Sequence, residues 1–485
     1  MLTRTIAFFF ALAVIVIPFD AIPGFTPFGE LAHEASFYFF AIALILAFIK
    51  FILDMLSGTH AGTEGRLLQR ATFAILATIL ISALWNASDV ATATFHDRAG
   101  FAKMLTAMSV VLYGIALALL TRSVVPTRWY SALVMPISIS AILCVVFSTF
   151  EALNRMGLGN PLYHAIDSLI HGGVDLLVQP WDGATNEAFL NGWDDRLRSV
   201  SFEPPAFGNF SGYAWPWLLA AVFMTQRWRR AFHVLLLAAF TVLIVASEAR
   251  TARLLLAANV VTFGLLMTVF LPRHGHVDRM VTWLSSTALA LSAALIATYY
   301  LLELDVVPRN IVTASVSDLT RTAYQVSAAK IFSANAFFGV GLGQFAFKVT
   351  SFMPSWGLES PEITTQLTFP DAPWPNTYSL YARIAAELGA LGILVWLTIW
   401  LTLMAAVRRA GLIYARFARP VPVVAYAIIM NCITVFVAAI TTDTFRTPMI
   451  WIALGAGACL DGRARHLARQ LVETPEFDVF RHQAA

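Results

Sequence analysis

An all-α integral membrane fold follows from three observations on this 485-residue chain: 58% of it is apolar, only 13% is charged, and the mean hydropathy is +0.71. Soluble domains carry about 25% charged residues, so this balance excludes them. The apolar residues are also gathered into runs. A bilayer-crossing helix needs about 20 mostly apolar residues, and runs of that kind lie near 5–22, 35–56, 71–86, 101–121, 129–149, 206–226, 231–248, 252–272, 281–302, 384–407, 421–441 and 445–460. About twelve transmembrane helices are expected. The first run follows Arg4 in the manner of a signal peptide, but so many spans come after it that it reads as a retained first helix.

Loop charge orients the spans, because short cytoplasmic loops collect Lys and Arg. Arg4, Arg66 and Arg70, Arg122 and Arg128, Arg227, Arg229 and Arg230, Arg273 and Arg279, Arg408, Arg409, Arg416 and Arg419, and Arg463, Arg465 and Arg469 occupy every second loop. Both termini are therefore expected in the cytoplasm. Two long loops, about 150–205 and 303–380, fall outside, and long loops in compact proteins usually carry function. The chain reads as one polytopic membrane domain, 1–460, followed by a charged cytoplasmic tail, 461–485.

Only four basic residues are lysine, and the arginines come in short clusters between spans, which is no nucleic-acid signature. Cys144, Cys432 and Cys459 each sit in an apolar stretch, where a thiol acts as a small hydrophobe. No disulfide, metal or cofactor is expected; membrane lipids are the surrounding partner. The two halves share no motif and no paired broken spans, against an inverted-repeat transporter.

Four groups of polar residues collect at the outer boundary. Ser247-Glu248-Ala249-Arg250-Thr251-Ala252-Arg253 puts two arginines on the side disfavoured by topology, where Arg near hydrocarbon costs up to ~3 kcal/mol. Arg250 and Arg253 share one helix face, and Ser247 is placed to cap a helix whose N-terminus points outward beside them. Together these make an anion site; the alternative is arginines that snorkel to lipid phosphate or pair with Glu248.

The second group runs from Asp318 through Arg321, Tyr324 and Lys330 to Gly339-Val340-Gly341-Leu342-Gly343. Its apolar positions recur at helical spacing, predicting an amphipathic helix on the outer membrane surface with Arg321 projecting from its first turns. Gly341 and Gly343 suit either a phosphate cradle or a turn that brings two backbones close.

Third, Glu203 precedes Pro204-Pro205, which stiffen the chain and could hold a positioned carboxylate; an exposed loop glutamate is the other reading. Fourth, Asn376, Tyr378, Tyr381 and Arg383 precede Glu387-Leu388-Gly389-Ala390-Leu391-Gly392. Their hydrogen-bonding groups and aromatic faces are of the type that holds sugars, against an aromatic belt at the bilayer edge. Arg383 and Glu387 are also spaced to pair along one helix.

In order and spacing, Glu203-Pro204 with Phe207-Gly208, Arg250 in Ala249-Arg250-Thr251-Ala252, Arg321 before Gly339-Val340-Gly341-Leu342-Gly343, and Glu387-Leu388-Gly389-Ala390-Leu391-Gly392 resemble the O-antigen ligase and Wzy-type polysaccharide polymerase family. The resemblance spans about 200–395. It implies a metal-independent glycosyltransferase of the bacterial inner membrane that takes a glycan from undecaprenyl diphosphate at the periplasmic face. Undecaprenyl-diphosphate-linked oligosaccharide is then both donor and acceptor, and a chain-length regulator protein is an expected partner. It further implies that Arg250 and Arg321 bind the lipid diphosphate. The family's ligases carry a histidine about eleven residues before the first glycine of the last motif; here that count reaches Tyr378, and no histidine lies between His276 and His466. The expectation is therefore a polymerase, with Arg250, Arg321 and Glu203 as the catalytic set and Arg253, Asn376, Tyr378, Tyr381, Arg383, Glu387, Gly341 and Gly343 contacting substrate. Ligation by the same family, or glycan-lipid transport, is the alternative.

Overall fold

The computed structural model describes residues 2–20, 34–57, 66–126, 128–158, 161–171, 196–201, 203–270, 316–370, 372–415 and 421–473. The first helices are α1 (Leu2–Ile15), α2 (Ala35–Leu56), α3 (Arg66–Trp85) and the short α4 (Ala87–Thr92). A two-residue hairpin follows, β1 (Thr94–Phe95) pairing antiparallel with β2 (Arg98–Ala99), the one element that an all-α expectation did not include among the described residues. After it come α5 (Gly100–Val124), a π-helical turn at Tyr130–Val134 that leads into α6 (Met135–Arg155), and α7 (Pro161–His171). Then come α8 (Pro204–Met224), α9 (Arg227–Ala246), α10 (Arg250–Phe270), α11 (Val316–Ala334), α12 (Phe345–Phe352) and α13 (Pro361–Thr368). Last are α14 (Leu380–Ala415), α15 (Val421–Thr441) and α16 (Pro448–Glu473).

Eight of the described helices are long and apolar enough to cross a membrane: α2, α3, α5, the π turn with α6, α9, α10, α14 and α15. The chain is thus a multi-pass helical membrane protein. Three further predicted runs coincide with helices of different character. The run near 5–22 stops at Ile15, short of Pro18, whose ring disfavours helix in the residue before it. The run near 206–226 is α8, which carries Gly208, Asn209, Ser211, Gly212 and Pro216 yet is almost wholly buried between α6, α9, α10 and α15. A helix surrounded by helices needs small and polar residues for close packing more than an apolar outer face. The run near 445–460 begins α16, which continues to Glu473 through part of the expected tail, with Asp461 and Arg465 paired at 2.7 Å on its charged face. The run near 281–302 lies outside the described residues.

Buried polar groups join the central helices. Asn259 on α10 donates to the Gly212 carbonyl on α8 at 2.8 Å, and Thr434 on α15 donates to the same carbonyl at 3.2 Å. Such interhelical bonds inside a membrane bundle contribute roughly 0.6–2 kcal/mol each.

A smaller second core sits at one end of the bundle. Ala323, Tyr324, Ala328 and Ile331 of α11 close on Val340, Phe345, Val349, Ile363 and Ala386. The amphipathic helix is present, but its apolar face packs on α12, α13 and the start of α14 instead of lying on the membrane surface. Small side chains at 323, 327 and 328 let these backbones approach, and protein replaces lipid as the covering layer.

Candidate active site

At the end of the bundle covered by this cap, α8 and α10 begin side by side. A Cβ on Gly208 would lie 3.0 Å from the Ala252 Cβ, so the two helix starts are in direct contact. Glu203 occupies the N-cap position of α8 in extended conformation (φ −141°, ψ 155°), and Arg250 is the first residue of α10. The expectation that Ser247 caps α10 is corrected. Ser247 is buried at the end of α9, its hydroxyl donating to the Ile244 carbonyl at 2.8 Å and accepting from the Ala249 amide at 3.4 Å. The chain must still reverse between Ser247 and Arg250, so the serine closes the outgoing helix.

The two arginines of this turn part company. The Arg250 side chain is 68% exposed, and among the described residues its Nη1 reaches one carboxylate oxygen, Asp318 Oδ1, at 3.4 Å. Arg253, one turn on, is half-buried and its Nη2 donates to the Val245 carbonyl at 3.2 Å, closing the last turn of α9.

Arg321 lies one turn beyond Asp318 on α11, exposed, with its guanidinium carbon 5.5 Å from the centre of the Tyr378 ring. It is near enough to Glu203 to act on its charge: burial pushes the Glu203 carboxyl well above the ordinary 4.5, and the Arg321 guanidinium partly offsets that rise. Arg250, Asp318, Arg321 and Tyr378 are thus linked from three separate stretches of sequence, and Glu203, from a fourth, lies within electrostatic range of Arg321. The starts of α8 and α10 add the positive ends of two helix dipoles beside it.

The wall behind Arg321 is aromatic. Tyr378 takes a left-handed backbone (φ 52°) that its neighbour Asn376 supports, the Asn376 Oδ1 accepting the Tyr378 amide at 3.1 Å. The Tyr378 hydroxyl donates to Glu362 at 2.8 Å, and Tyr324 beside it donates to Gln366 at 2.6 Å. Burial and the Glu362 carboxylate push both phenols upward, so each remains a donor. Tyr381, by contrast, donates to the Phe436 carbonyl at 3.0 Å and serves to join α14 to α15.

Arg383 and Glu387 pair along α14 at 3.2 Å, as their spacing allows. Glu387 is 2% exposed and also accepts the Phe345 amide at 3.4 Å, while Arg383 donates to the Asp443 carbonyl at 2.9 Å. The glycine run lies against this stretch: the Val340 amide donates to Ala386 O at 3.0 Å and the Gly341 amide to Glu387 O at 2.9 Å. Gly389 has φ +69° and ψ −163°, which breaks α14 there and exposes carbonyls for that pairing. A side chain at Gly339 or Gly389 would strike the opposing backbone. Gly341 and Gly343 are buried, and the Gly341 amide is engaged with protein, so this run brings two backbones together in the second of the two ways its sequence allowed.

Asp443 carries a role that the sequence did not suggest. Its Oδ2 accepts the Thr377 amide at 3.0 Å, fixing the segment that presents Asn376 and Tyr378. A lone Asp between an apolar run and a Pro-led helix resembles any helix-end residue; its pairing across 66 positions leaves no local signal. Trp374 was likewise unassigned; Lys103 lies 4.6 Å and Arg98 5.5 Å from its ring centre. Among the described residues, no group of three or more His, Cys, Asp or Glu side chains is placed to hold a metal ion.

Bundle and site together define a multi-pass membrane protein with a cationic, aromatic-walled group at one end. Residues 233–397 match a family model described as O-Antigen ligase, so this stretch of the chain is similar to that family. The matched stretch holds Arg250, Arg321, the glycine run, Arg383 and Glu387. Glu203 lies outside it and reaches the site through the α8 and α10 contact. No curated protein matches the chain.

Proposed function

We propose that the protein is a polysaccharide polymerase joining polyprenyl-diphosphate-linked repeat units at the periplasmic face of the bacterial inner membrane. The observation that carries this reading is the grouping of Arg250 and Arg321 with a half-buried carboxylate, Glu203, at two helix starts. The acceptor sugar hydroxyl attacks the anomeric carbon of the donor glycan. A carbon–oxygen bond forms there, the bond to the diphosphate oxygen breaks, and polyprenyl diphosphate leaves with the electron pair. Arg250 and Arg321 stabilise the growing negative charge, one guanidinium contact at 4 Å being worth about 4 kcal/mol before desolvation at an effective dielectric near 20. Glu203 takes the hydroxyl proton. Asn376 and Tyr378 shape the glycan side, with Tyr381, Arg383, Glu387, Gly341 and Gly343 supporting the start of α14, while Arg253 holds the turn that presents Arg250.

Replacing Arg250 or Arg321 by alanine leaves an inserted, folded protein and lowers chain growth from purified lipid-linked repeats by roughly 100-fold or more, the loss seen when one transition-state donor is removed. Normal polymer length in either variant would refute the diphosphate role.

A second reading, ligation of the glycan to a different acceptor, has one observation in its favour: the matching family is described by ligase activity. The absence of histidine between His276 and His466 weighs for the polymerase. Supplying lipid-linked repeats and a lipid A core acceptor in one assay separates the two by product.

A further inference from the structure

The end of the bundle opposite Arg250 holds a cavity of about 480 Å³ whose lining includes Tyr130, Gln226, Arg227, Trp228 and Arg229. It lies where α8 ends, α9 begins and the π turn enters α6, and α9 runs 20 residues from Arg227 to Ala246, about one bilayer core at 1.5 Å per residue. The cavity is therefore at the other membrane boundary, with no part in the site described above. No acidic residue lines it. Arg227 and Arg229 are exposed, and neither forms an ion pair among the described residues; Arg229 stacks 5.6 Å from the Trp228 ring centre. Below the cavity an apolar stripe continues along α9 through Trp228, Phe232, Leu235 and Val242, at 73%, 43%, 70% and 68% exposure. A cationic pocket leading onto an exposed apolar stripe has the form of an amphipathic anion.

We propose that this pocket binds the phosphate headgroup of an anionic glycerophospholipid, with the acyl chains along the α9 stripe. Two guanidiniums meet the phosphodiester, Gln226 and Tyr130 supply hydrogen-bonding groups for the polar remainder, and Trp228 sits at headgroup depth, where indoles favour the interface. The stripe distinguishes a lipid from free phosphate, which would have no use for it.

The test is lipid retention by the purified full-length protein, counted by native mass spectrometry in mixed micelles of phosphatidylglycerol and phosphatidylcholine. The wild type is expected to hold phosphatidylglycerol preferentially, and millimolar inorganic phosphate to leave it in place. Arg227→Gln with Arg229→Gln should weaken that binding roughly thirtyfold, as each basic side chain at a surface contributes severalfold. Arg227→Lys with Arg229→Lys, which keeps both charges, should retain most of it. Equal retention of the two lipids by the wild type, or unchanged phosphatidylglycerol binding in the glutamine variant, would overturn the proposal. Displacement by inorganic phosphate would overturn the lipid as the source. The wild-type comparison stands even where a variant fails to fold.

Discussion

Glu203 shows how one side chain's surroundings set its chemistry. Burial raises its carboxyl above 4.5 and Arg321 limits the rise, so the folded chain binds the proton more tightly than the unfolded chain does. A raised carboxylate contributes stability below the ordinary value, and that contribution is lost as pH rises through the raised one. Glu203→Gln should therefore be at least as stable as the wild type at neutral pH while losing activity, a pair of outcomes that thermal melting and polymer assays read separately. Acting as a base, Glu203 should give the pH profile of the rate a rising limb above the usual carboxylate range. A limb at or below 4.5 would exclude it from that role.

Asp318 is the other residue with a directional consequence. It pairs with Arg250, and the pair is largely exposed, so it adds at most about 1 kcal/mol to stability. Its negative charge competes with an incoming diphosphate. Asp318→Asn should leave the melting temperature nearly unchanged and lower the KM for the lipid-linked donor; an unchanged or raised KM would show that Asp318 does not hold Arg250 back.

Among elements, α14 is the one whose irregularity organises the site. Gly389 breaks its hydrogen-bond ladder, and the carbonyls released there receive the glycine run from across the cap. Gly389→Ala introduces a Cβ into the Phe337 backbone at a left-handed φ, and a cost of about 1–3 kcal/mol for the conformation alone is expected, more with the collision. Glu387 holds the same junction from inside. Removing it as Glu387→Ala takes the carboxylate from the half-buried Arg383, and about 3–5 kcal/mol is the usual loss for breaking a buried pair. Both variants should therefore lose activity through unfolding of the cap, seen as a lower melting temperature, whereas Arg321→Ala should lose activity with the melting temperature kept. This difference separates architecture from chemistry within one short stretch of sequence.

For the whole molecule, the alternation of arginine loops predicts which end faces the cytoplasm. Cys144, Cys432 and Cys459 are all buried, so a single introduced thiol can be followed against a quiet background. Met156→Cys, at an exposed position past α6, should react with a membrane-impermeant maleimide in cells with a permeable outer membrane. Ser123→Cys, at the far end of α5, should react only after the inner membrane is opened. The reverse pattern would invert the proposed orientation and remove the periplasmic assignment of the site.

Hydropathy and loop charge determined by themselves that the chain is helical and crosses a membrane many times, because a bilayer imposes length and apolarity on each span separately. Arg250 stood out as a candidate too, since an arginine placed against the topological preference is visible within a few residues of sequence, whereas Arg321 was singled out by its place on the amphipathic helix and by the family resemblance. Tertiary structure decided what depends on packing between distant segments. It seated the α11 face on protein, divided Arg250 from Arg253, and gave the glycine run a backbone partner in α14. It also brought Glu203 beside Arg321 and set Asp443 under Thr377. Contacts across tens or hundreds of residues leave no periodicity and no local charge pattern, and only the packed bundle specifies them.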